Sequence, residues 1–324
     1  MPCYLGFDIG GTKCTAIYGE RDSSGDVRPI DRAVWPTAGA SPAECVAHFV
    51  QTARELLSKH GSSSEEVAGI GIPCGSPLDN RNGIILSPPN LPGWDRIPIV
   101  EWLKKEFPAC PHVVLENDAN ADALAEWAFG AGKGTRNLVF ITFGTGCGAG
   151  LILDGRLYTG TNDYAGECGH LRLAPFGPVG YGKAGSMEGF CSGGGLARLA
   201  LVRIQERLQM GQKVAWYDET KPLTTKDLAT AAKNGDDLAK AIFAECGTRL
   251  GEGLSLIMDL INPEVIVIGS VFQRAEELLR PTMEAAIARE ALPYTRQVCR
   301  VVPAALGDQL GEYAAMALAA VNGV

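Results

Sequence analysis

At 324 residues the chain is long enough for two domains and a sizeable core. A hydrophobic share of 46% with 20% charged residues fits an ordinary globular protein. The net charge of -8 argues against binding nucleic acid through a broad basic surface, and no nucleic-acid partner is expected. An acidic chain still holds phosphate where local backbone N–H groups converge, and 40 glycines supply tight turns and close backbone approach. The opening residues, MPCYLGFDIGG, lack a basic start and a long apolar run, so no secretory leader is expected. No stretch reaches about 18 continuous apolar residues, and no membrane span is expected. Ten cysteines include no CxxC pair, which points to free thiols in a reducing cytosol.

Residues 4–9 read as a strand, 10–13 as a turn and 14–18 as a second strand, a hairpin with glycines at its tip. The N–H groups of such a tip can cradle a phosphate. Thr12 adds a hydroxyl, and Asp8 can hold a metal through water; a plain hairpin turn is the equal alternative. Residues 21–32 are polar and read as a loop before a strand near 33–35. Apolar residues recur at helical spacing over 41–60, with Ser41 as cap and Pro42 at the first helical position. His48 and His60 are read as surface or core residues. Residues 67–72 are a buried strand, broken by a loop at 73–77 that contains Gly75. Residues 87–94 form an extended loop with Asn90 and Trp94 as candidate ligand contacts, a packing role for Trp94 remaining open.

The stretch LENDANADALAE, residues 115–126, passes from an apolar run through Glu116, Asn117 and Asp118 into alanine-rich helix formers. Asn117 and Asp118 therefore fall where a strand hands over to a helix, the edge at which α/β folds bind ligands. A carboxylate there can accept a proton from a bound hydroxyl. The stretch alone favours a plain helix cap at Asp118; the rest of the chain reverses that preference.

Residues 137–143, the tip from Gly144 through Thr145, Gly146 and Cys147 to Gly148, and residues 149–153 repeat the first pattern. Two such hairpins suggest an internal duplication whose tips clamp a polyphosphate. Glu167 and His170, three apart and flanked by glycines, point toward one small polar ligand. Glu188 opens a turn, and helices follow at 196–201, near 224–227 and over 236–261. Residues 264–268 are a buried strand ending at Gly269 and Ser270, a second place for a nucleotide base or ribose. A helix over 274–291, a strand over 298–302 and a helix over 311–321 complete the chain.

These motifs resemble the ROK family of bacterial sugar kinases and sugar-responsive repressors. The matching residues are DIGGTK at 8–13, PNLPGW at 89–94, ENDAN at 116–120, GTGCG at 144–148, GECGH at 166–170 and NPEVIVIG at 262–269. The resemblance implies an actin-like (ribonuclease H-like) duplicated α/β fold with two domains and a cleft between them. It places a smaller N-terminal domain at 1–118, joined by a C-terminal helix at 308–324, and a larger domain at 119–307. It implies that Asp118 is the catalytic base and that Asn117, Glu167, His170 and Glu188 hold sugar hydroxyls, with Gly75 and Asn90 in the loops that read the sugar. ATP would lie on Asp8, Gly10, Gly11, Thr12 and Lys13 and on Gly144, Thr145, Gly146 and Gly148, with Gly269 nearby and Mg²⁺ on the phosphates. Family members commonly carry a cysteine-rich zinc loop after the Gly-His motif; residues 177–186 contain no cysteine, so zinc is not expected.

The expected activity is ATP-dependent phosphorylation of a hexose or N-acetylhexosamine at the 6-hydroxyl, by a cytoplasmic homodimer. A sugar-responsive repressor would need a helix-turn-helix module ahead of Tyr4. An actin-like ATPase would not need the Glu167, His170 and Glu188 cluster.

Overall fold

The computed structural model describes residues 2–23, 25–37 and 40–320. The chain forms two compact units. The first holds the residues up to Gly134, then Gly155–Asp163 and the segment from Ala305; the second holds Thr135–Asp154 and Tyr164–Ala304. The first unit thus runs past residue 118, where the sequence placed its end, and the two are of nearly equal length rather than small and large.

In the first unit β1 (Cys3–Ile9) pairs antiparallel with β2 (Lys13–Arg21), and β2 with β3 (Val27–Pro36). On its other side β1 pairs parallel with β4 (Val67–Cys74), and β4 with β5 (Val113–Asn117). Strands β1 and β4 are buried along almost their whole length, as central strands covered on both faces must be. β3 alternates buried or half-buried residues with exposed ones, the mark of an edge. The polar loop expected over residues 21–32 is mostly strand, because the solvent-facing Arg28 and Arg32 mask its period of two.

Helix α1 (Pro42–Lys59) starts as expected. Ser41 Oγ accepts from Glu44 N at 3.3 Å, Glu44 Oε2 accepts from Ser41 N at 2.7 Å, and Pro42 takes the first position. A short helix α2 (Ile99–Glu106) was not anticipated. Helix α3 (Asp118–Ala128) follows β5 directly. The last helix of the fold, described over Leu310–Ala320, lies across β1 and β4. It approaches so closely that a Cβ on Gly69 or Gly71 would overlap the carbonyl oxygens of Ala319 and Ala315. Val321, the expected end of this helix, and residues 321–324 of the expected joining segment lie outside the described residues.

In the second unit β6 (Leu138–Phe143) and β7 (Cys147–Leu153) form an antiparallel hairpin. β8 (Val265–Ile268) pairs parallel with β6, and β9 (Arg300–Pro303) with β8. The four strands lie in the order β7-β6-β8-β9, matching β2-β1-β4-β5 of the first unit in order and direction. The duplication expected from the two hairpins is therefore present in the sheets.

Helices α4 (Met187–Phe190), α5 (Gly193–Gln209), α6 (Thr225–Lys233), α7 (Asp237–Ile261), α8 (Val271–Glu290) and α9 (Pro293–Val298) belong to this unit. Asp236 caps α7 by accepting from Ala239 N at 2.8 Å, and Asn262 ends it in the left-handed conformation at φ 52°, followed by Pro263. Buried Ile141 and Phe143 of β6, Ile266 and Ile268 of β8, and Leu250 and Leu254 of α7 share one core. No helix among the described residues is long and apolar enough to cross a membrane.

Candidate active site

In the first unit the tip between β1 and β2 is a closed turn. Gly10 N donates to Lys13 O at 3.0 Å, and Thr37 Oγ1 donates to Gly10 O at 2.6 Å. Thr12 and Lys13 are exposed. The 87–94 loop presses on this turn, since a Cβ on Gly11 would stand 2.6 Å from Asn90 O. The same Asn90 offers its side-chain oxygen 3.3 Å from where a Cβ on Gly75 would stand. Asn90 thus sits against both Gly11 and Gly75, while Trp94 is buried and serves packing. Asp8 lies behind the tip. Burial pushes its carboxyl up to about 6, against the pull of Lys13 and with the charge of Asp118 adding to the rise.

At the end of β5 the chain turns into α3. The helix cap is Asn117, not Asp118: Asn117 Oδ1 accepts from Ala119 N at 2.9 Å. Asp118 is the first helical residue, is exposed, and accepts from the same N–H through Oδ1 at 2.8 Å. Asn117 Nδ2 donates to Ser76 Oγ at 2.8 Å, tying the turn to the loop after β4. One helical turn on, burial pushes the Asp122 carboxyl well above its usual range, with Asp118 and Asp8 adding to the rise. Asp8, Asp118 and Asp122 therefore feel one another's charge.

In the second unit the tip from Gly144 to Gly148 is held from two sides. Gly193 N, at the start of α5, donates to Gly144 O at 2.7 Å, and Cys147 N donates to Glu188 Oε2 at 3.1 Å. Glu188, expected to hold sugar, is thus also a fixture of the tip. Thr145 is exposed. Gly148 pairs with Thr142 across the hairpin. Gly269, at the end of β8, donates to Ile141 O at 3.0 Å, and Ser270 Oγ lies 3.8 Å from where a Cβ on Gly144 would stand. Arg198 of α5 brings Nη1 to 3.3 Å from the corresponding point on Gly194, a cation near the tip that the sequence reading did not single out.

Glu167 is exposed and precedes a short 3-10 turn, Cys168–His170. Residues 177–186 form a small hairpin, with Val179–Gly180 paired to Lys183–Ala184. Lys183 Nζ donates to His170 O at 2.5 Å, and the Tyr181 and His170 rings stand perpendicular at a centroid distance of 5.5 Å. Cys191 is buried, with Sγ directed to Cys246 O at 3.9 Å. Among the described residues no group of three or more His, Cys, Asp or Glu side chains is arranged to hold a metal ion.

The pattern of the ROK family matches residues 4–321. The chain belongs to the ROK family. It is 31% identical over 311 residues to a glucokinase of Halalkalibacterium halodurans, covering 95% of this chain and 92% of that one. Among solved structures, it resembles a ROK family glucokinase from Streptomyces griseus, in complex with glucose and AMPPNP, at a TM-score of 0.74 and 28% identity. That match covers 98% of this chain and 99% of the other. It also resembles a ROK family transcriptional regulator, a homologue of the Escherichia coli Mlc protein, at a TM-score of 0.82 and 26% identity, over 98% of this chain and 77% of that one. The fold is the expected actin-like α/β fold, with a repeated sheet.

The candidate residues fall into two groups. Asp8, Gly10, Gly11, Thr12, Lys13, Gly75, Asn90, Asn117 and Asp118 belong to the first unit, and Gly144, Thr145, Gly146, Gly148, Glu167, His170, Glu188 and Gly269 to the second. The sequence reading gave no role to Glu116, Ser76 or Asn80, whose contacts with the β5–α3 turn bridge long stretches of chain.

Proposed function

We propose that the protein is an ATP-dependent kinase that phosphorylates a hexose or N-acetylhexosamine at the 6-hydroxyl, with Asp118 as general base. The observation that carries this reading is Asp118 itself. It is an exposed carboxylate at the start of α3, at the carboxyl end of a parallel strand, in a chain 31% identical to a glucokinase along nearly its whole length.

Asp118 takes the proton of the sugar hydroxyl as that oxygen attacks the γ-phosphorus of ATP. The bond from that phosphorus to the β–γ bridging oxygen breaks, leaving ADP and the sugar phosphate. Such transfer depends on positioning and charge stabilisation more than on covalent help. Glu167 and Glu188 accept from sugar hydroxyls, and His170 pairs with them through its ring nitrogens. The glycine tips suit a polyphosphate because neither presents a side chain at Gly11, Gly144 or Gly146, and at Gly11 the Asn90 carbonyl leaves no room for one. Asp8, buried behind the first tip, is the residue that would hold Mg²⁺, directly or through water, and the ion would supply positive charge to offset that of the phosphates.

A second reading, a sugar-responsive regulator, is favoured by the likeness to the Mlc homologue. Coupled measurement of ADP release across glucose, fructose, mannose, allose and N-acetylmannosamine separates the two. Sugar-dependent ADP release is expected. Calorimetric sugar binding without ADP release would support the regulator, and ADP release indifferent to sugar would support an actin-like ATPase.

A further inference from the structure

We propose that Glu116 is a positioning residue, fixing the turn that presents Asn117 and Asp118; this rests on the site reading above. Glu116 is only 3% exposed. Its single oxygen Oε1 accepts three hydrogen bonds: from Asn80 Nδ2 at 2.7 Å, from Asn117 N at 2.7 Å and from Asn120 Nδ2 at 3.0 Å. Three donors on one oxygen suit the charged carboxylate, whose bonds are shorter and stronger than neutral ones. Burial pushes the carboxyl up, and the same three donors pull it back toward the ionised form.

The donors come from three places. Asn80 lies between the paired segments Leu78–Asp79 and Ile84–Ile85, Asn117 is the helix cap, and Asn120 is in the first turn of α3. Both asparagines turn their amide nitrogens toward Glu116, while Asn80 Oδ1 and Asn120 Oδ1 are buried with no partner among the described residues. Asn117 Nδ2 adds the bond to Ser76 Oγ. The loop after β4, the end of β5 and the start of α3 are thereby held as one piece. Glu116 points inward and Asp118 outward, so Glu116 acts through the turn without touching substrate.

Because Oε1 receives all three bonds, an amide oxygen can take its place while the amide nitrogen occupies the position of Oε2. Glu116→Gln should therefore keep most of its turnover, whereas Glu116→Ala should lower kcat about 10²-fold, the scale of a misplaced reacting group. Asn120→Ala should cause a smaller loss, and the double variant with Glu116→Ala should be no worse than Glu116→Ala alone.

Hydrogen exchange of the Asn117 backbone amide, read by NMR without sugar or ATP, reports the turn itself. It should lose protection in Glu116→Ala and keep it in Glu116→Gln. A folded Glu116→Ala with wild-type kcat, or with a protected Asn117 amide, overturns the proposal. Should Glu116→Ala not fold, wild-type turnover and unchanged Asn117 protection in Asn120→Ala overturn it. A wild-type protein that phosphorylates no hexose would sink the kinase reading alone, because the Asn117 amide still decides whether Glu116 holds the turn.

Discussion

The two units repeat one piece of architecture and differ in what they hang on it. In each, a hairpin with a glycine tip is followed by two parallel strands in the same order. Two residues before the first tip stands Asp8; two before the second stands Thr142. The fourth strand of the first set runs into Asn117 and Asp118, whereas that of the second ends at Pro303, followed by Ala304, whose N–H merely continues bonding to Ile268 O at 3.0 Å. The carboxylates Asp8, Asp118 and Asp122 thus gather where the first sheet meets α3, while the second tip is braced by Glu188 with Arg198 nearby. Duplication supplies two glycine-tipped turns, and on the reading proposed above proton transfer falls to the first, whose neighbouring strand end carries Asp118.

The sharpest break in this asymmetry is Asp118→Asn. Loss of a general base costs about 10²–10⁴-fold in rate, and sugar and nucleotide binding should stay largely intact, as separate titrations will show. Near-normal turnover would mean that the base lies elsewhere. The two tips should also respond differently to an added methyl group. Gly11→Ala forces a Cβ to within 2.6 Å of Asn90 O, so it should cost about 1–3 kcal/mol in denaturant unfolding and weaken nucleotide binding. Gly144→Ala meets nothing nearer than Thr142 Oγ1 at 3.6 Å, and its stability should be close to wild type. Equal losses at both tips would erase the distinction.

On the second unit, Glu167→Gln and His170→Ala should each weaken sugar binding by roughly tenfold, the worth of one lost partner in a buried hydrogen bond. The ATP-analogue constant should move little, and the reverse pattern would reassign both residues. The smallest effect lies away from both tips. Asp31 is pulled down to about 2 by hydrogen bonds from Lys59 at 2.6 Å and His60 at 2.9 Å. A depressed carboxyl stabilises the fold above its unfolded value, and that contribution is lost as pH falls through about 2. Asp31→Asn should therefore destabilise at pH 7 by at most about 1 kcal/mol, with the difference from wild type shrinking below about pH 4. A difference that does not change with pH would point to packing instead.

The parts written in short-range pattern were legible in the sequence. Ser41 and Pro42 announce α1, and the apolar runs of β1, β4, β6 and β8 announce buried strands. Helix α2 was not, because it follows Pro98 without a side-chain cap and buries only Ile99 and Leu103. Only the end of β3, near 33–35, read as a strand; its first half read as loop because Arg28, Pro29, Asp31 and Arg32 break the apolar pattern. At the site, the ENDAN motif exposed Asp118 but concealed the division of labour around it. Glu116 meets Asn80 across 36 residues, and Glu188 meets Cys147 N across 41, pairings that no local spacing encodes.

The most direct test of the kinase reading is the product itself. The purified chain would be incubated with ATP, Mg²⁺ and the hexose that releases most ADP, and the sugar product examined by ³¹P and ¹³C NMR. The expected result is a single phosphomonoester on the C6 oxygen, formed in step with ADP and absent when Asp118→Asn replaces the wild type. Phosphate on another carbon, or a sugar that stays unmodified while it is bound, would contradict the assignment.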